Sequence, residues 1–121
     1  MRKTLTTLFT LLVILCTATA QVIPNSPKHE VRAVWLTTIG GIDWPHSYAQ
    51  STQSIARQQA ELRTLLDSYQ KAGINTVLLQ TRIRGTLIYP SIYEPWDGCL
   101  SGFPGKSPGY DALQFAIDEC H

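Results

Sequence analysis

The stretch from Gly73 to Trp96, GINTVLLQTRIRGTLIYPSIYEPW, constrains the fold of this chain more than any other. Its run Thr76-Val77-Leu78-Leu79 sets neighbouring apolar side chains on both faces of a strand, so both faces need cover. That is the pattern of a parallel strand in an α/β fold. The run passes without a break into Gln80, Arg82 and Arg84, then into a loop with Tyr89, Tyr93, Glu94 and Trp96. Polar and aromatic groups just past the C-terminal end of a parallel strand stand where α/β folds bind ligands.

The flanking sequence supplies the partners such a strand requires. Val31 to Thr38 (VRAVWLTT) is rich in β-branched and aromatic residues and is expected to be the first strand. Ile39 to Gln50 holds Gly40-Gly41 and Asp43-Trp44-Pro45, which break regular structure and predict a loop at that strand's C-terminal end. From Ser51 to Ala72, Ile55, Leu62, Leu65, Leu66 and Tyr69 fall on one helical face, with Arg63 on the polar face. Ser51 or Thr52 can cap the first turn, and Gly73 follows the last one. A long loop rich in Gly and Pro runs on from Trp96, and Tyr110 to His121 (YDALQFAIDECH) has the spacing of a second helix. The order β, α, β, loop, α is the opening of a repeating β/α array. The chain stops at His121 within a helical pattern, so this array is expected to be incomplete.

Residues 1–20 have the form of a secretory signal: Arg2 and Lys3, an apolar core from Leu8 to Cys16, and Ala18-Thr19-Ala20 before Gln21. That core is shorter than the roughly 20 residues a membrane-spanning helix needs. An exported protein with no membrane segment after cleavage is the expectation. Residues 21–28 form a polar, proline-containing lead-in. Loss of Arg2 and Lys3 leaves eight of the ten basic side chains against nine acids, a net charge of −1. With Lys28, Arg32, Arg57, Arg63 and Lys71 scattered, nucleic acid is not an expected partner. Cys99 and Cys120 do not amount to a disulfide framework, although they could bridge a loop to a helix. His29, His46 and His121 lack metal-ligand spacing, so no metal or other cofactor is expected.

Three groups of side chains could act on a ligand. Gln80, Arg82 and Arg84 alternate along the second strand and share a face. Arginine forks grip carboxylates and phosphates and, with Gln, sugar hydroxyls; equally, Arg82 or Arg84 could pair with Glu94 or Asp97 to pin the long loop. Trp44 and Trp96 lie in loops that open on one side of the sheet and could stack on sugar rings or anchor those loops, whereas Trp35 lies within the first strand and suits a core. Asp43 and Glu94 are weak candidates for the carboxylate pair that glycoside hydrolysis requires; loop acids commonly just face solvent.

Taken in order, these motifs resemble the glycosyl hydrolase-like 10 family. Glu30-Val31-Arg32-Ala33-Val34-Trp35-Leu36 is similar to its first strand, Gly41-Ile42-Asp43-Trp44-Pro45 to its first loop and Gly73-Ile74-Asn75-Thr76-Val77 to its second strand. Gln80-x-Arg82-x-Arg84-Gly85, Tyr89-Pro90-Ser91 and Glu94-Pro95-Trp96 match the long second loop, and Pro108-Gly109-Tyr110-Asp111 opens the next helix. Thr86 departs from the pattern, which leads one to expect Asp there. The resemblance covers residues 29–121 and implies an α/β fold, the opening β/α units of a TIM (β/α)8 barrel. It implies hydrolysis of O-glycosidic bonds in a polysaccharide or peptidoglycan-like glycan. Gln80, Arg82, Arg84, Trp44 and Trp96 would position substrate, and this part alone would be inactive, its catalytic acids lying on later strands. A non-catalytic glycan-binding barrel and an inert truncated fragment are the alternatives.

Overall fold

A computed structural model of the protein describes residues 30–121; the expected signal sequence and the lead-in lie outside the described residues. Strand β1 (Ala33–Leu36) pairs in parallel with β2 (Thr76–Leu79), in register from Ala33 opposite Thr76 to Leu36 opposite Leu79. Parallel neighbours need a crossover, and helix α1 (Thr52–Lys71) supplies it. Ser51 caps this helix: its hydroxyl accepts from the Ser54 amide, while the Ser54 hydroxyl accepts from the Ser51 amide. The exchange satisfies two otherwise open backbone donors. At the other end Gly73 turns at φ +78°, and the Ile74 amide donates back to Tyr69. Asn75 then locks the entry to β2, its Oδ1 accepting from the Arg32 amide at 2.9 Å.

Beyond β2 the chain differs from the sequence expectation. The strand stops at Leu79, and the Gln80 amide makes the last ladder bond, to the Leu36 carbonyl at 2.9 Å. Arg82 and Arg84 are therefore not on strand two. Instead β3 (Arg82–Ile83) and β4 (Thr86–Leu87) form a small antiparallel hairpin about Arg84-Gly85, and Leu87 bridges in parallel to Trp96. The Gly- and Pro-rich stretch that follows is not structureless. A one-turn helix, α2 (Gly98–Ser101), starts at Asp97, whose carboxylate accepts from the Cys99 amide at 2.8 Å. Helix α3 (Ala112–Cys120) is capped in the same way by Asp111.

The apolar residues of α1 and α3 cover one face of the β1–β2 sheet. Leu36, Trp44, Leu62, Ile88, Leu100 and Ala116 form the buried centre, with Val77, Leu79, Leu66 and Phe115 packed around it. Arg63, exposed on the polar face of α1 as expected, also braces the two helices: it pairs with Glu119 at 2.8 Å and lies 5.0 Å from the Phe115 ring centroid. On the opposite face Trp35 and Leu78 stand side by side in register and are 61% and 48% exposed. Trp35 is thus not part of this core. Among the described residues the architecture is that of a partial α/β domain with two small sheets. None of its helices is long and apolar enough to cross a membrane.

Candidate functional site

The loops that follow β1 and β2 enclose an open groove of about 590 Å³. One wall is Gly40, Gly41, Pro45, His46 and Tyr48; the other is Arg84, Thr86, Asp97, Gly98, Cys99 and Pro104. The first wall is held by one local cap and by a long-range clamp from the end of β2. The Asp43 carboxylate accepts from the Thr37 amide at 2.7 Å, which folds the first loop back on the end of β1. The Gln80 carbonyl oxygen Oε1 accepts from the Thr38 and Ile39 amides, each at 3.1 Å, and the Thr38 hydroxyl donates to the Gln80 backbone at 2.8 Å. Gln80 thus bolts the 3-10 turn Ile39–Gly41 to the end of β2.

The expected site residues divide between frame and groove. Of the two roles the sequence leaves open for Trp44, its position fits the loop anchor and not the sugar platform: it is 0% exposed, and its indole Nε1 donates to the Gln58 carbonyl at 2.9 Å, so neither ring face is open. Trp96 is half-buried against the core, and its carbonyl accepts from the Gly105 amide. Arg82 makes a forked pair with Glu94, its Nε 2.7 Å from Oε2. The hydrogen bonds and charge of Arg82 hold the Glu94 carboxyl below its ordinary range. This pair pins the loop between them, one of the two roles the sequence leaves open for the arginines. Arg84 alone of the named ligand-contact candidates lines the groove.

Several groove residues are ones the sequence does not mark as ligand contacts. Asp97 faces Thr86, whose hydroxyl lies 2.5 Å from its Oδ2. Burial pushes the Asp97 carboxyl up, but hydrogen bonds from Thr86 and the Cys99 amide, with the Arg84 charge, outweigh burial and hold it below its usual value. His46 pairs with Glu61 of α1, and its backbone amide also donates to that carboxylate at 3.1 Å. The hydrogen bond and charge of Glu61 raise the His46 pKa. Burial, then the neighbouring Asp97, pushes the Cys99 thiol up, so it is no nucleophile at neutral pH. Cys99 and Cys120 are both free thiols. Beneath the groove Gln58 is fully buried: its Nε2 donates to the Ser47 carbonyl at 2.6 Å and the Leu100 carbonyl at 3.1 Å, and its Oε1 accepts from the Tyr110 hydroxyl. No group of three His, Cys, Asp or Glu side chains is arranged to hold a metal among the described residues.

Chemically the groove offers an exposed guanidinium, an ionised carboxylate, the half-exposed Tyr48 ring and a glycine-lined wall. Such a mixture of groups is chemically suited to polyols and charged groups. Asp43, Glu94 and Asp97 are each held by hydrogen bonds, which suits frame-building and positioning more than proton transfer. Known proteins are similar to this chain in sequence. The chain is 44% identical over 92 residues to glycosyl hydrolase YngK of Bacillus subtilis (strain 168), covering 76% of this chain and 18% of that protein. It is 39% identical over 95 residues to glycosyl hydrolase DigH of Escherichia coli (strain K12), covering 75% of this chain and 22% of that protein. The chain spans about a fifth of the length of these relatives. The model of the glycosyl hydrolase-like 10 family matches residues 30–121, from the first strand through the last helix, and the chain belongs to that family.

Proposed function

We propose that this chain is the substrate-positioning opening of an exported glycoside hydrolase that cleaves O-glycosidic bonds in a polysaccharide or peptidoglycan-like glycan. The observation that carries the reading is a groove walled by the loops after two parallel strands, the position where α/β folds take ligands, in a chain of the glycosyl hydrolase-like 10 family. The β1–α1–β2 unit, with helices on one face only, is what the first units of a TIM barrel require, the Trp35 and Leu78 face turning inward. The catalytic carboxylate pair belongs to later barrel strands in this reading, because Asp43 and Glu94 are engaged in holding loops. Their roles, with that of Gln80, are to fix the groove.

The test is reducing-end release from glycan strands by the intact protein, beside the Tyr48→Ala variant. Tyr48 is exposed on the groove wall, and losing a stacked ring is expected to weaken glycan binding about tenfold, in line with the area removed. Glycan binding without bond cleavage would favour a non-catalytic glycan-binding barrel. Neither binding nor cleavage by the intact protein would overturn the proposal.

A further inference from the structure

The Arg84-Gly85 turn points to a residue kept for its ligand against the preference of the backbone. Strands β3 and β4 pair Ile83 with Thr86, so only these two residues connect them. Both have positive φ, +49° at Arg84 and +79° at Gly85, and Arg84 is the one non-glycine residue with positive φ among the described residues. A two-residue hairpin of this kind favours Asn, Asp or Gly at its first position, because a longer side chain crowds its own backbone there. Glycine at 85 obeys that rule. Arginine at 84 does not.

Among the described residues the Arg84 guanidinium meets the charge of Asp97 but shares no hydrogen bond with it, and that charge does not require a positive φ. Arg84 makes no hydrogen bond or ion pair with the described residues, whereas Arg82, two residues earlier, is committed to Glu94. Asp97 shares the groove wall, yet its oxygens already accept from Thr86 and the Cys99 amide. The guanidinium therefore presents an open fork of donors to a groove that also holds Tyr48 and the Gly40-Gly41 wall. Backbone strain that no internal contact requires is a mark of functional sites. A guanidinium fork matches the two oxygens of a planar or tetrahedral oxyanion.

We infer that Arg84 is a specificity-determining residue that selects sugar units bearing an oxyanion, a carboxylate or a sulfate, over neutral sugars. The inference rests on the glycan reading above and narrows its substrate class. It also explains a local conflict, since the turn would be more stable with Asn.

The test compares the intact protein with Arg84→Asn and Arg84→Lys by calorimetric titration, using a uronic-acid oligosaccharide, a sulfated oligosaccharide and a neutral oligosaccharide. The unmodified protein is expected to bind one acidic ligand at least tenfold more tightly than the neutral one, and the better acidic ligand identifies the oxyanion. Arg84→Asn should abolish that preference, weakening binding of the acidic ligand at least tenfold more than that of the neutral one. Arg84→Lys, which keeps the charge without the fork, should retain only part of the preference. Relief of the strained turn should leave the unfolding midpoint of Arg84→Asn unchanged or raise it by about 2–4 °C. A fall in the midpoint would mean that the guanidinium supports the fold, and the inference would be overturned. Equal binding of acidic and neutral ligands by the unmodified protein would also overturn it while leaving the glycan reading intact. Failure of all three ligands to bind would sink both.

Discussion

At the residue scale the groove stands on Gln58, a side chain whose importance the sequence conceals. Its position on the apolar stripe of α1, four residues before Leu62, predicts an aliphatic residue, yet it is completely buried and joins three separate segments. Its partners are 11, 42 and 52 residues away, so no local pattern could have shown them. The same holds for Trp44, whose loop position suggests exposure and whose actual partner is the Gln58 carbonyl across the core. Gln58→Leu would keep the volume but leave the Ser47 carbonyl and the Tyr110 hydroxyl without partners. At roughly 1–3 kcal/mol for each of the two stranded groups, a loss of about 2–6 kcal/mol is expected from denaturant unfolding of the intact protein. His46 gives a second residue-scale prediction. Glu61 raises its pKa in the folded state, so the pair stabilises fully below the ordinary histidine value of about 6.5 and loses that contribution as pH rises through the raised folded value. An NMR titration should show His46 deprotonating above its ordinary value, and Glu61→Gln should bring it back. An unshifted His46 in both proteins would show that the pair does not persist in solution.

At the element scale the sequence is legible where local signals agree. Helix α1 carries an apolar stripe, a Ser cap and a Gly stop, and the structure places all three within a residue of expectation. The parallel pairing of β1 with β2 likewise follows from two short apolar runs joined by a helix. The end of β2 is not legible in the sequence, because Gln80, Arg82 and Arg84 continue the alternation of a strand. The break comes from two facts outside that alternation. The Gln80 side chain turns back to the β1 loop, and Arg84 takes a positive φ that its residue type does not advertise. Helix α2 was hidden in a stretch of Gly and Pro, with Asp97 as its single capping signal. The cap of α1 can be tested directly. Ser51→Ala removes the acceptor for the Ser54 amide and is expected to cost about 0.5–2 kcal/mol in unfolding free energy. Thr52→Ala, one position into the helix, should cost less than half as much. Equal losses would show that Ser51 contributes only helix propensity.

At the scale of the whole molecule the decisive fact is how much of the sheet is left uncovered among the described residues. Each strand of the β1–β2 pair has one neighbour, so each presents an outer edge of backbone donors and acceptors. Open edges of this kind invite pairing with another chain. One sheet face carries α1 and α3, whereas the other carries Trp35 and Leu78, both large, apolar and exposed. Two parallel strands hold together through cover on both faces, which is the requirement that the apolar run at Thr76–Leu79 announced in the sequence. Helical cover on one face secures half of that. Ordering each residue costs about 1–2 kcal/mol of conformational entropy, and a core with one layer of helices over two strands offsets little more than that cost. Residues 30–121 expressed alone are therefore expected to self-associate through the β1 and β2 edges and the Trp35 face, and to lack a sharp thermal transition. Sedimentation and calorimetry on that segment test this. Trp35→Lys with Leu78→Lys should reduce association by placing charge on the open face, without restoring cooperativity, because the edges remain unpaired. A monomeric segment that unfolds in one cooperative transition would mean that α1, α3 and the capped loops suffice, and that the partial α/β domain is an independent folding unit.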